Sequence, residues 1–331
     1  MNVTLLPLLG AWHLRYPVYN AASVLALVKA SRPEVVVLAP LEPGELTTPA
    51  WQDTPEIVLP VVAAWAGRRG IRLEPGMNAS PDPDAEADFQ HYLAAYPQTR
   101  EQLVTLEALL RPLDALLPQP LTLARLWAEV VPVLERYQRE REAVFGDGPG
   151  TDWWRERLTE LAARLAELPE TRVCVLAGVE QLPFLHEALL EKAVEVSVPK
   201  DAPHDETIRE RALLDVAFRG DAADPGALLS SLRDVKGAEA RFHEANVLLL
   251  NGHPAEALER LEAAANGDFS APYYLPGYLL ARLGQLRDLS GDRAGALRAY
   301  RGVLAFDWVP RDAQEAATAG LEAPFEGVQA A

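Results

Sequence analysis

The sequence predicts two domains of different class, an α/β domain carrying a helical insertion and an all-helical domain after it. Three observations carry that expectation. The valine-rich runs VVVL at 35–38 and VCVLA at 173–177 lack polar alternation, as strands covered on both faces do. Between them, apolar residues recur three and four apart over a long stretch, the spacing of amphipathic helices. Beyond residue 238, small residues and turn glycines recur in a fixed pattern. A chain of 331 residues also exceeds the usual size of a single core.

Taken in order, residues 3–9 form an apolar run ended by Gly10. Asn20 caps a helix carrying Val24, Leu25, Leu27 and Val28, and Pro33 stops it. A strand over 34–38 follows, and strand, helix, strand in this order predicts a parallel βαβ unit. A helix near 55–67 and a strand at 71–73 continue the alternation. Pro81 and Pro83, among acidic residues, mark a loop. Helices are then predicted over 85–95, 99–117, 121–145 and 152–168, so the insertion occupies about 84–168. A strand at 173–177, a helix at 182–192 and a strand at 194–198 complete an α/β domain over 1–200. The segment PKDAP at 199–203 is the expected linker to a helical domain over 205–331, whose first helices are 207–218 and 225–235 and whose last is 311–321.

Composition narrows the function classes. The formal net charge of −17 disfavours unspecific binding to nucleic acid or an anionic membrane, which such a chain would repel. The N-terminal apolar run is broken by Pro7 and Gly10 and lacks a basic leader, and no apolar stretch reaches the length of a membrane span. The single cysteine, Cys174, lies in an apolar run and reads as a buried structural thiol. The expected compartment is the cytoplasm.

The duplicated pattern is specific. Residues 238–266 place Ala245 in a first helix, Gly252 at the turn and Ala257 in a second helix. Gly284, Gly291 and Ala296 repeat that plan 39 positions later. Two antiparallel helices approach closely only where small side chains face each other, so the spacing has a packing reason. The pattern resembles the tetratricopeptide repeat, with the second copy delayed by an insertion over 269–276. That resemblance implies a stacked helical array that binds a protein or peptide partner.

The candidate chemistry lies in the first domain. Gly10, Trp12 and His13 follow the first strand, where open α/β sheets hold their ligands. His13 is open to two readings: a metal ligand or general base, or a packed histidine hydrogen-bonded to the loop backbone. The segments GAWH at 10–13, VVVL after Pro33, WRERLTELAARL with Arg157, and VCVLAGVEQLPFL with Gly178 together resemble the TraB/Tiki family, related more distantly to ChaN-like and erythromycin-esterase-like proteins. Gln181 stands where that family has a second histidine, and Ala39 where it has a strand-end glutamate. His13, Glu42, Glu180 and Gln181, with Arg157 holding an anion, form the reduced site that the resemblance implies.

Two readings follow. The first is an interaction protein with an inactive TraB-like domain and a tetratricopeptide-like module. The second is a hydrolase using His13 with Glu42 or Glu180, with or without a divalent metal at His13. No other cofactor is implied. Nucleotide-binding, serine-hydrolase and zinc-protease motifs are absent from the sequence.

Overall fold

The computed structural model describes residues 1–47, 56–77, 91, 93, 95–146 and 153–327. The chain divides into two compact units, Met1–Ile208 and Arg209–Ala331.

The first unit is built on a parallel sheet of β1 (Asn2–Leu8), β2 (Val35–Leu38), β3 (Arg72–Pro75), β4 (Arg172–Gly178) and β5 (Glu195–Ser197), in the order β3-β2-β4-β1-β5. β4 runs alongside β1 from Asn2↔Arg172 to Leu8↔Gly178 and pairs β2 on its other edge, so the strand that follows the insertion fills the centre of the sheet. Every side chain of β2 is buried, which is why its valines need no polar alternation.

Helices cover both faces. On one, α1 (Ala21–Ser31) and α2 (Val58–Arg69) bring Val24, Val28, Leu59 and Val62 onto Leu6, Leu8, Val36, Leu38 and Leu176. Asn20 caps α1, its Oδ1 accepting from the N–H groups of Ala22 and Ser23 at 3.1 Å each. On the other face, α5 (Trp153–Glu167) and α6 (Leu182–Glu191) bring Leu158, Leu161, Leu165, Leu185 and Leu189 onto Val3, Leu5, Val37, Val173 and Val175. Burying each such leucine contributes about 2 kcal/mol.

The insertion contains α3 (Pro97–Leu116) and α4 (Val131–Phe145). The helix expected over 121–145 is not continuous. Thr122 caps a short turn, Leu123–Arg125, which passes through a π-helical segment, Leu126–Val130, before α4. Pro132 explains the break, since a proline has no N–H for the α-helical ladder and the preceding turn widens. The helix expected over 85–95 lies outside the described residues except for His91, Leu93 and Ala95, which are helical.

The boundary between the units falls later than the expected linker. Ala202 packs against the first core, Asp201 Oδ1 accepts the N–H of Ala124 at 3.0 Å, and Asn20 Nδ2 donates to the carbonyl of Ile208 at 3.0 Å. These contacts hold 201–208 to the first unit, and the boundary falls inside α7 (Glu206–Arg219).

The second unit continues with α8 (Pro225–Leu232), α9 (Ala238–Leu250), α10 (Pro254–Ala265), α11 (Leu275–Leu289), α12 (Arg293–Val303) and α13 (Arg311–Glu322). α9 and α10 form one hairpin and α11 and α12 the next. Their turns are the same. His253 N–H donates to Leu248 C=O and Gly252 N–H to Leu249 C=O, and the pairs Asp292 to Arg287 and Gly291 to Asp288 repeat this. Gly252 and Gly291 hold φ of 79° and 82°, where a side chain would be strained. Ala245, Ala257 and Ala296 are buried between helices, and Gly284 leaves room for the ring of Tyr300.

α11 begins at Leu275, inside the segment read as an inserted loop. Pro276 sits in its first turn, where the missing N–H costs no hydrogen bond. Among the described residues, no helix is long and apolar enough to cross a membrane.

Candidate functional site

The carboxyl ends of β1, β2 and β4 open into a cavity of about 470 Å³. Its floor is formed by Leu8, Leu9 and Gly10 after β1, Pro40 and Leu41 after β2, and Gly178, Val179 and Glu180 at the end of β4. Leu113 and Leu117 from the α3 region and Leu134 from α4 line another part of the wall, so the insertion helps to build the site. Strands that leave the sheet's centre in opposite directions create such a crevice.

Gly10 takes φ of 58° and starts a tight 3-10 stretch, Gly10–Arg15, that turns His13 inward. The imidazole is fully buried. Its Nε2 accepts the N–H of Leu9 at 3.1 Å, and its Nδ1 lies 2.9 Å from the carbonyl of Tyr19. An amide donor on one nitrogen and a carbonyl acceptor on the other fix the neutral tautomer with the proton on Nδ1. Burial lowers the pKa to about 4, against the opposing pull of the Tyr19 carbonyl. With both nitrogens engaged, His13 has no lone pair to offer a metal or a substrate proton. The structure therefore replaces the catalytic reading of His13 with a structural one.

The carboxylate that accompanies His13 is one the sequence reading missed. Glu56, just ahead of α2, has a side chain only 9% exposed, with Oε1 3.8 Å from His13 Nε2. It accepts the N–H of Val58 at 2.9 Å and that of Gly10 at 2.6 Å. Burial raises its pKa to about 7 and the charge of Glu180 raises it further, while the Val58 and Gly10 N–H groups pull it down. A glutamate ahead of an apolar helix reads locally as a cap. Its bond to Gly10 closes 46 positions of chain and has no local signature.

The other candidates separate. Glu180, Gly178, Gly10 and Trp12 line the cavity. Glu180 is solvent-exposed, but the protein packed around its carboxyl raises its pKa. That carboxyl lies over Gly178, where a Cβ would come within 2.1 Å of it. Gln181 is buried and accepts the N–H of Gly178 at 2.9 Å; with Glu180 it lines a smaller neighbouring chamber of about 170 Å³ that also includes Arg141. Glu42 does not reach the cavity. Its N–H donates to Glu45 Oε2 at 2.6 Å, and Glu45 lines the wall instead. Arg157 is half-buried on α5 and is not among the described residues that line the cavity.

Ala39 follows β2 where the TraB/Tiki resemblance implies a glutamate. It is fully buried, and Gly76 approaches so closely that a Cβ on Gly76 would lie 2.2 Å from the Ala39 Cα. A side chain on Gly76 has no room there. Among the described residues, no three of His, Cys, Asp or Glu form a cluster able to hold a metal ion. The divalent metal that the TraB/Tiki resemblance implies does not fit these residues, and no step is routed through one. Cys174 is fully buried in the sheet, and burial pushes its thiol up to about 12.

The opposed shifts of His13 and Glu56 are testable. A histidine whose folded pKa lies below the unfolded value loses stability as pH falls from 6.5 toward 4; a glutamate raised from 4.5 to about 7 loses it as pH rises over that interval. In urea unfolding across this range, the stability of Glu56→Gln relative to wild type should therefore rise with pH by about 3 kcal/mol. A constant difference would contradict the assignment.

No family model, no curated protein and no solved structure matches this chain.

Proposed function

We propose that this protein is an interaction protein of the cytoplasm, in which a tetratricopeptide-like helical module binds a protein or peptide partner beside an α/β unit, TraB-like in layout, that is not a His13 hydrolase. The observation that carries the reading is the engagement of both His13 ring nitrogens by backbone groups inside the core. The nearest general base of the expected site is thereby a structural group.

The repeated hairpins support the binding role. Leu250 and Leu289 occupy equivalent positions at the ends of α9 and α11, two residues before Gly252 and Gly291, and are 84% and 41% exposed. Leaving an apolar side chain in water at the same place in successive repeats has no folding benefit, and exposed apolar side chains that recur together mark contact surfaces. The test is affinity capture with the full chain from native lysate, comparing wild type with the Leu250→Glu/Leu289→Glu double variant and with Leu190→Glu, an exposed leucine of the first unit. One partner retained by wild type and Leu190→Glu but lost from the double variant is the expected result. Equal recovery by all three would sink this reading.

A second reading, hydrolysis without His13, rests on Glu56, raised to about 7 as suits proton transfer near neutral pH, and on Glu180, which is also raised. Turnover of apolar esters that disappears in Glu180→Gln would favour it over the first.

A further inference from the structure

We propose that the cavity at the carboxyl ends of β1, β2 and β4 is a binding site for a small molecule with an apolar body and one protonated amine. This is independent of the helical module and concerns a different surface.

The volume of about 470 Å³ suits a ligand of drug size. Leu8, Leu41, Leu59, Leu113, Leu117 and Leu134 supply an apolar wall that disfavours polar or highly charged ligands. Among the described residues, the ionisable side chains on that wall include three carboxylic acids, Glu45, Glu56 and Glu180, and no lysine or arginine. A ligand anion would find no counter-charge on this wall, whereas an ammonium can donate to each carboxyl and draws it toward the ionised form.

The polar groups have little else to do. Tyr16 is spent, its hydroxyl donating to the carbonyl of Leu117 at 2.8 Å. Glu56 is held by backbone N–H groups and faces His13, which is neutral, so among the described residues no cationic side chain pairs with it. The protein packed around the Glu180 carboxyl raises its pKa and its own backbone N–H opposes this. Arg15 lies 5.2 Å over the ring of Trp12, and Arg141 lines the smaller chamber beyond Glu180; neither is among the described residues of this wall. Trp12, 39% exposed at the lining, adds apolar ring surface to the wall. A single positive charge on an apolar body thus complements both the walls and the carboxylates.

Calorimetric titration of the full chain with octylamine, octanol and octanoate separates the contributions. Octylamine should bind at least about tenfold more tightly than octanol, the size of one charge-assisted hydrogen bond, and octanoate should bind least. Glu180→Gln, at an exposed position where folding is insensitive, should weaken octylamine about tenfold and leave octanol unchanged. Leu134→Trp, or Leu113→Trp if the first fails to fold, should fill the cavity and abolish both. The Leu250→Glu/Leu289→Glu variant should bind octylamine like wild type, which keeps this result separate from that of partner capture. Octanol or octanoate binding as tightly as octylamine would overturn the proposal. So would octylamine binding that survives both filling variants, which would place it on the acidic surface, or an absence of octylamine binding to wild type.

Discussion

Replacing Arg211 with alanine should destabilise the helical unit by about 3–5 kcal/mol, the usual cost of removing one partner from a buried ion pair. Arg211 is the hub of a buried network. Its Nε donates to Asp215 Oδ1 at 2.8 Å, and its Nη1 to Glu239 Oε1 and Oε2 at 2.8 and 3.0 Å. Tyr274 donates its hydroxyl to the same Glu239 oxygen. Burial pushes Asp215 up to about 7 even with the arginine beside it. Glu239 would be raised by burial too, yet His243, Arg211 and Tyr274 hold it at about 2. Without the guanidinium, two carboxylates would be left out of water with no cation between them.

Urea unfolding of the full chain followed by circular dichroism measures the loss, with the exposed Arg301→Ala as a control expected to change stability by under about 0.5 kcal/mol. Replacing Arg211, Asp215 and Glu239 together by apolar residues of similar volume should recover most of the deficit, because the expense lies in stranded charge. An Arg211→Ala loss no larger than the control's would mean that the network contributes nothing.

Tyr300→Ala is expected to cost a similar amount, about 3–5 kcal/mol, through a cavity at the centre of the last hairpin. Tyr300 is 0% exposed, and its ring fills a slot that two glycines keep open. A Cβ on Gly284 or on Gly320 would lie 2.4 Å from ring carbons. One aromatic ring therefore joins α11, α12 and α13. Its hydroxyl donates to Asp288 Oδ2 at 2.9 Å, on a side chain that also receives Arg293 and the N–H of Phe325.

Tyr300→Phe keeps the ring and should lose about 1 kcal/mol, since Asp288 retains its other donors. Gly284→Ala should cost about 1–3 kcal/mol from the opposite fault, overpacking against the ring. Equal losses for the phenylalanine and alanine variants would locate the stabilisation in the hydroxyl instead of the ring.

Much of the architecture was legible before any contact was known. Asn20 as a cap, Pro33 as a stop, the unalternated valines of β2 and the turn glycines Gly252 and Gly291 all act within a few positions. Hydrogen bonds inside a turn and the pitch of a helix are local, so their signals are local too. The π-helical break before Pro132 and the start of α11 at Leu275 show where that reading slips. In both cases the position of a proline within the helix decided its effect.

The sequence by itself thus determined an α/β unit followed by a helical one, and the residues that begin and end most elements. Only the tertiary structure decided that β4 lies between β1 and β2, that Glu56 reaches Gly10, that Glu45 and not Glu42 lines the cavity, and that His13 is held by two backbone groups. The reason is physical. A strand carries no local mark of its neighbours, and a buried carboxylate or imidazole takes its role from partners that the chain brings together only on folding.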